Sequence, residues 1–243
     1  MKLKIGTFNI LNTSCRYEER KIELKRTLSE LKCDIIGLQE LNFQINPELF
    51  DLSTYTIKFV ALPNPMLKSE PEFRIDGNGV LIKNDIEILE EHRLVYKNNL
   101  RVAQILKLQK QNQAFIFVNT HLDHLSESIR EQQLRELMQA LKPYYDYPII
   151  CTGDYNFLPE VNNYKLMSKE FISAYFQIHD KEPMITFPTG LYGPYADIES
   201  YGCFDYIWIR GAKAISAEVY RDCGNQQIWA SDHYPVYGEI EFI

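Results

Sequence analysis

Residues 204–242 read as three β-patterned segments, FDYIWIR, AISAEVYRD and YPVYGEIEF, with no long helical pattern between them. Parallel strands need a crossover of a dozen or more residues, usually a helix, whereas antiparallel strands close through short turns. This end of the chain therefore excludes a simple doubly wound parallel sheet. Upstream, the two periods alternate. LKIGTFNIL is a strand, residues 20–32 place Ile22, Leu24, Leu28 and Leu31 largely on one helical stripe, and DIIGLQE is a second apolar strand. GVLIK, VAQILKL and AFIFVNTHL follow, the last two close enough to be antiparallel neighbours. Residues 126–142 form a helix with Ile129, Leu134, Leu137, Met138 and Leu141 inward, capped by Ser126 or by Ser128, which has capping-box spacing to Glu131. YPIICTGD returns to strand, and a short helix follows over 161–167. Strands outnumber helices, so the expected class is α/β, with two mixed β-sheets packed face to face and helices outside.

No repeat or linker divides the chain, and one domain over 1–243 is expected, with long loops at 61–79 and 188–202. The formal charge of -7 argues against tight non-specific binding along a duplex, where Lys and Arg must neutralise phosphates. Phosphate chemistry on such a chain needs a metal ion to supply positive charge. Five cysteines without a C-x-x-C pair, and Cys151 inside an apolar strand, read as buried small hydrophobes in a reducing compartment. MKLKIGTFNI reads as a strand and not as a signal peptide, and no window suggests a membrane span. A cytoplasmic monomer is the expectation.

The chemistry is concentrated where apolar strands end. Asn9 closes TFNI, Glu40 closes LQE, Asn119 and His121 lie in NTHLDH, and Asp154 and Asn156 lie in GDYN. Asp205 opens FDYIW, and Asp232 with His233 precedes the final strand in SDHYPV. Each has an ordinary reading: a turn for Asn9, an ion pair for Glu40, a hydrogen-bonded core histidine for His121, an Asx turn for Asp232. Asp205 is the least ordinary, because Asp disfavours strands. A polar group beside a buried strand costs free energy unless it is satisfied. Such groups on successive strands imply one shared site at a common edge of the sheets.

TFNI, LQE, NTHLDH, GDYN, FDYIW and SDHYPV, in this order, resemble the motif series of the endonuclease/exonuclease/phosphatase superfamily with its DNase I-like fold, over about residues 3–241. NTHLDHLSESIREQQ particularly resembles a small single-domain branch of metal-dependent hydrolases or phosphodiesterases. The resemblance implies a four-layered α/β sandwich that hydrolyses a phosphate ester with activated water. It makes Glu40 the principal ligand of Mg²⁺ or Mn²⁺, with Asn9 nearby and Asp232 at or near the ion. Asp154 would orient or deprotonate the water, and Asn156 would help fix it. His121 and His233 would donate to the non-bridging oxygens, and Asp205 would hold the tautomer of His233. Hard oxygen ligands around such an ion suit phosphoryl transfer, in which the equatorial oxygens gather negative charge.

One departure matters. Some nucleases of the superfamily carry an acidic residue two positions after the first Asn, and here that position is Leu11, which argues for a one-metal site. Arg20, Arg74, Arg101 and Arg130 are scattered basic candidates; Arg74 and Arg101, with Asn119, are assigned to substrate binding. Tyr192, Tyr195 and Tyr201 offer stacking surfaces for a base. The expected substrate is a nucleic acid, nucleotide or nucleic-acid end group, single-stranded if polymeric. A phospholipid or sugar phosphate is the alternative, and a catalytically inactive binding module is the alternative of another class.

Overall fold

The structure, a computed structural model, describes residues 1–50, 52–62, 76–97, 101–191, 201–225 and 227–243. In chain order the strands are β1 (Lys2–Asn9), β2 (Ile35–Asn42), β3 (Tyr55–Ala61), β4 (Asp76–Lys83), β5 (Glu87–Val95), β6 (Val102–Lys110), β7 (Gln113–His121), β8 (Ile149–Asp154), β9 (Ile172–Ser173), β10 (Asp205–Arg210), β11 (Ala212–Ala214), β12 (Glu218–Val219) and β13 (Val236–Phe242). The helices are α1 (Tyr17–Leu31), α2 (Glu127–Leu141), α3 (Asn162–Met167) and α4 (Ala174–His179). One sheet runs β11-β13-β1-β2-β4-β3 with β12 also on β13, and the other runs β5-β6-β7-β8-β10-β9.

Each sheet has one parallel pair at its centre, β1 with β2 and β7 with β8, and antiparallel strands on either side. A parallel pair cannot close through a tight turn, so each takes a helical crossover, α1 for the first and α2 for the second. The helices cover opposite outer faces. Leu24, Leu28 and Leu31 of α1 pack with Phe8, Ile36 and Leu38. Leu134, Leu137 and Leu141 of α2 pack with Ile116, Val118, Ile149 and Cys151. The alternate residues of the same strands face inward, so Leu3, Ile5, Ile35, Val80 and Ile82 meet Leu106, Leu108, Phe115, Phe117, Ile150 and Ile207 between the sheets. The result is the expected four layers, two mixed sheets with helices outside.

Two strands escape the sequence pattern. β5, EILEEHRLV, is a sheet edge with most side chains exposed, so its glutamates mask the alternation. β3 is the opposite edge strand and is only half-buried along most of its length. AISAEVYRD is not one strand: β11 ends at its first residue, Ala214, β12 covers only Glu218–Val219, and both pair with β13. In α1 the stripe is rotated from expectation: Ile22 is 66% exposed, and Arg20, Glu23 and Thr27 join Leu24, Leu28 and Leu31 inside. Ser126, not Ser128, caps α2, accepting from the Ile129 N–H at 3.4 Å. All five thiols are unpaired and all but Cys15 are buried, with burial pushing the Cys33 and Cys223 thiols up to about 12.

Candidate active site at the shared sheet edge

Parallel strands bring their C-terminal ends to one edge, and antiparallel neighbours bring their starts to the same edge. Asn9, His121 and Asp154 therefore end β1, β7 and β8, while Asp76 and Asp205 begin β4 and β10. The register sets Asp205 directly opposite Asp154. Arg101 precedes β6, whose Ala103 pairs with Thr120 beside His121. Asp232 and His233 lie in the loop that enters β13, the neighbour of β1.

Glu40 reaches this edge through a bulge. The β2–β4 register slips between Leu38 and Leu41, and Glu40 takes the left-handed backbone region at φ 58°. A non-glycine residue there is strained, and bulges re-aim side chains at sheet ends. Its Oε1 accepts from Asn9 Nδ2 at 3.2 Å and its Oε2 from the Asn12 N–H at 3.1 Å. Asn9 also donates through Nδ2 to Asp154 Oδ2 at 3.0 Å, while its Oδ1 accepts from the Leu11 N–H at 3.1 Å. One amide thus ties the carboxylates of the two sheets together.

Asp154 is the centre of the arrangement and is 1% exposed. Its Oδ1 accepts from the Asn156 N–H at 3.0 Å, with Asn156 at φ 52° and its Nδ2 donating to the Leu122 carbonyl at 3.0 Å. Its Oδ2 faces His121 Nε2 at 3.5 Å and His233 Nε2 at 3.7 Å. Those distances exceed ordinary hydrogen bonds, so each imidazole N–H keeps capacity for another acceptor. Burial first, and then Asp205 against the opposing pull of His233, raises the Asp154 pKa far above the usual carboxylate range.

The two histidines have opposite partners. His233 Nδ1 bonds Asp205 Oδ2 at 2.9 Å, and its ring lies 4.8 Å from that of Phe187. Burial alone would lower its pKa, but Asp205 and Asp154 more than offset that and hold it well above the usual histidine range. His121 Nδ1 instead lies 3.0 Å from Arg101 Nη1, whose Nη2 is 3.3 Å from His124 Nδ1. Burial, then Arg101, His233 and His124, hold His121 well below its ordinary value. Asp154, Asp205 and His233 offer atoms within 4.8 Å of one another, close enough to chelate. His233 already engages Asp205 through Nδ1, so a hydrogen-bonded relay fits those three.

The substrate-binding assignments are redistributed. Asn119 is wholly buried between the sheets: Nδ2 donates to the Leu38 and Gly79 carbonyls at 2.8 Å each, and Oδ1 accepts from Gln39 Nε2 at 2.6 Å. Its amide is fully committed to internal partners, and contact with substrate is replaced by a tie between the sheets. A Cβ on Gly37 would lie 2.6 Å from the same Asn119 Oδ1, so only glycine fits beneath it. Arg20 is also internal, with its guanidinium on the carbonyls of Ile10, Leu11, Thr13 and Ala230. Arg130 holds the Asp123 carbonyl at 3.0 Å. Arg101 does reach the site. Arg74, Tyr192 and Tyr195 lie outside the described residues, and Tyr201 is 72% exposed.

Two residues were missed. Asn12 links Glu40 to Asp76, giving its N–H to the first and Nδ2 to Asp76 Oδ2 at 2.7 Å. Asp76 is 7% exposed, its Oδ1 is buried without a hydrogen-bond partner, and burial followed by Glu40 pushes its pKa up to about 7. The available signal was the one used for Asp205, an acid at the head of a β-forming run, here DGNGVLIK.

The donor set around Glu40 suits a hard divalent ion. Asp232 is pushed up to about 6, by burial first and with Glu40 adding to it, and the orphaned Asp76 oxygen points to the same crowding of carboxylates. A cation with oxygen ligands relieves that repulsion.

Comparison with known proteins bears on the family and the fold. The chain is 27% identical over 161 residues to Protein angel of Drosophila melanogaster, a match covering 59% of this chain and 45% of that protein, so the chain aligns with under half the length of this relative. The human Nocturnin catalytic domain with bound sulfate superposes with a TM-score of 0.83 at 22% identity, covering 100% of this chain and 94% of that one. Danio rerio TDP2 complexed with single-strand DNA product gives 0.80 at 19% identity, covering 99% of each chain. The Bacteroides thetaiotaomicron mannosyl-6-phosphatase gives 0.77 at 17%, again covering 99% of each. Those structural likenesses show a common fold. A family model matches residues 6–233, from the strand that ends in Asn9 to the loop that carries His233, and the chain belongs to the Endonuclease/Exonuclease/phosphatase family.

Proposed function

We propose that the protein is a Mg²⁺- or Mn²⁺-dependent phosphoesterase that hydrolyses a phosphodiester or phosphomonoester with water. The observation that carries this reading is the convergence on Asp154 Oδ2: an amide N–H at 3.0 Å and two imidazole Nε2 atoms at 3.5 and 3.7 Å surround one buried carboxylate oxygen. The two histidines supply donors fitted to oxyanions, Asn9 spends its Nδ2 protons on Glu40 and Asp154, and Asp154 with its raised pKa is a base placed between the imidazoles.

Glu40, with Asn9 and Asp232, would hold the ion, which when bound neutralises charge gathering on the phosphoryl oxygens and polarises the ester. Asp154 orients the attacking water and accepts its proton as the new P–O bond forms and the ester P–O bond breaks. Asn156 fixes the Asp154 carboxylate through its backbone N–H. His121 and His233 donate through Nε2 to the non-bridging oxygens. Asp205 holds His233 protonated and correctly turned.

The favoured substrate is a nucleic acid, a nucleotide or a nucleic-acid end group, single-stranded if polymeric; TDP2 of the same fold holds a single-strand DNA product. The net charge of -7 supports a short contact over a long duplex groove. The mannosyl-6-phosphatase of the same fold supports a sugar phosphate as the second reading. The test is hydrolysis of bis-p-nitrophenyl phosphate, single-stranded RNA and DNA, 2′,3′-cyclic ends and sugar and lipid phosphates, each with Mg²⁺ and Mn²⁺. Turnover must vanish in EDTA; turnover that persists under chelation refutes the cation's role, and no turnover on any ester refutes the enzyme.

A further inference from the structure

Neutral imidazole carries one proton, and what faces each ring nitrogen decides where it sits. Around His233 both facing groups are carboxylates, Asp205 Oδ2 at Nδ1 and Asp154 Oδ2 at Nε2. Carboxylates accept, so Nδ1, 2.9 Å from Asp205 Oδ2, holds a proton. Around His121 the same logic gives the opposite answer. Arg101 Nη1 lies 3.0 Å from Nδ1, and a guanidinium has donors only. Nδ1 must therefore accept, and the single proton must occupy Nε2, which faces Asp154 Oδ2 at 3.5 Å.

We propose that Arg101 is a positioning residue that locks His121 in the neutral, Nε2-protonated tautomer, so that its N–H points at the reacting phosphate. The proposal rests on the phosphoesterase reading for its purpose, but the tautomer itself does not. The charged and titratable groups facing His121 are Arg101 ahead of β6, Asp154 on β8, His233 in the loop before β13 and His124 in its own loop. Arg101 also reaches His124 Nδ1 at 3.3 Å, so one guanidinium orients two rings, the second of them exposed at the rim. His121 is then a fixed hydrogen-bond donor without charge.

The histidine count of five makes a direct test practicable. With ¹⁵N-labelled histidine in the full chain, two-bond ¹H–¹⁵N correlation spectra at pH 7.5 report which ring nitrogen is protonated. His121 is assigned by its disappearance in His121→Asn. The wild type should show His121 protonated at Nε2 alone. Arg101→Met should lose the single-tautomer pattern of His121 and lower kcat on bis-p-nitrophenyl phosphate at least about tenfold. Arg101→Lys, which also only donates, should retain the pattern and recover most of the rate. The remaining histidine signals report whether the variants are folded. A wild-type His121 protonated at Nδ1 or at both nitrogens overturns the proposal, as does a folded Arg101→Met variant with an unchanged His121 pattern; the wild-type spectrum decides even where a variant fails to fold. Failure of the phosphoesterase reading would show separately, as absent turnover with the tautomer spectrum as stated.

Discussion

Replacing Asn119 with Leu separates an internal tie from a substrate contact. The side chains are close in volume, so little cavity forms, but three hydrogen bonds disappear. The Leu38 and Gly79 carbonyls each lose a donor at 2.8 Å, and Gln39 Nε2 loses its acceptor at 2.6 Å. Gln39 Nε2 keeps Thr7 Oγ1 at 3.1 Å, so its loss is partial. A buried polar group left unpaired costs about 1–3 kcal/mol, which puts the total on the order of 4 kcal/mol. Against a domain stability of about 5–15 kcal/mol that is a severe but survivable loss. Urea unfolding followed by the fluorescence of the two tryptophans reads it directly. With a slope of about 2 kcal/mol per molar, the midpoint should fall by about 2 M with the slope unchanged. Below the transition the variant should bind phosphodiester with wild-type KM. An unchanged midpoint combined with a raised KM would refute the argument and return Asn119 to the substrate site.

Asp205→Asn removes the carboxylate that most raises the His233 pKa. Wild-type activity that needs protonated His233 is lost only as pH rises through that elevated value; in the variant the alkaline fall of kcat should move to lower pH, and an unmoved limb would sink the assignment. Asp154→Asn, which keeps the shape and removes the base, should cut kcat by about 10²–10⁴-fold while the circular dichroism spectrum is retained. Saturating Mg²⁺ should raise the melting temperature of the wild type, by about 2.7 kcal/mol of added stability at a hundredfold excess over Kd, and Glu40→Gln should abolish that shift. In EDTA, Asp76 and Asp232, raised to about 7 and about 6, bind protons in the folded state that the unfolded chain has already released. Metal-free stability should therefore fall as pH rises from about 4 through 7, and calorimetry showing the reverse slope would contradict the burial of these acids.

The central strands and most of the site were legible because burial writes them plainly. β2, β7, β8 and the C-terminal half of β1 are buried on both faces, one against the opposite sheet and one against a helix, and such strands read as near-continuous apolar runs. Edge strands lack that signature, which is why β3 and β5 were not read. A single polar residue at the end of an apolar run announces that it is buried and needs a partner, but not which partner. Asn119 and His121 sit two residues apart on the same strand end and carry the same signal; one proved to be an inter-sheet tie and the other faces Asp154. Asn12 carried no signal, since it acts partly through its backbone N–H. Glu40 takes its φ of 58° inside β2, at the bulge that turns its carboxylate to the site. Strain of that kind persists only where its surroundings over-determine it.

The same geometry couples catalysis to the packing of the sheets. Glu40 belongs to one sheet and Asp154 to the other, and Asn9 Nδ2 spans them with bonds of 3.2 and 3.0 Å. A shift of one sheet against the other by even 1 Å would lengthen one of those bonds beyond the useful range. What prevents it lies directly beneath: Gly37 and Asn119 on opposite sheets approach so closely that a methyl group cannot enter, and the Asn119 amide bonds β2 and β4 from β7. Gly37→Ala would force that contact apart by placing a Cβ 2.3 Å from Thr152 Oγ1 and 2.6 Å from Asn119 Oδ1. Its effect should appear in kcat before it appears as global unfolding, because the carboxylates on the two sheets lose their mutual registration while each sheet keeps its own hydrogen bonds. Wild-type kcat in a Gly37→Ala variant with a lowered melting temperature would show that the inter-sheet spacing serves stability alone.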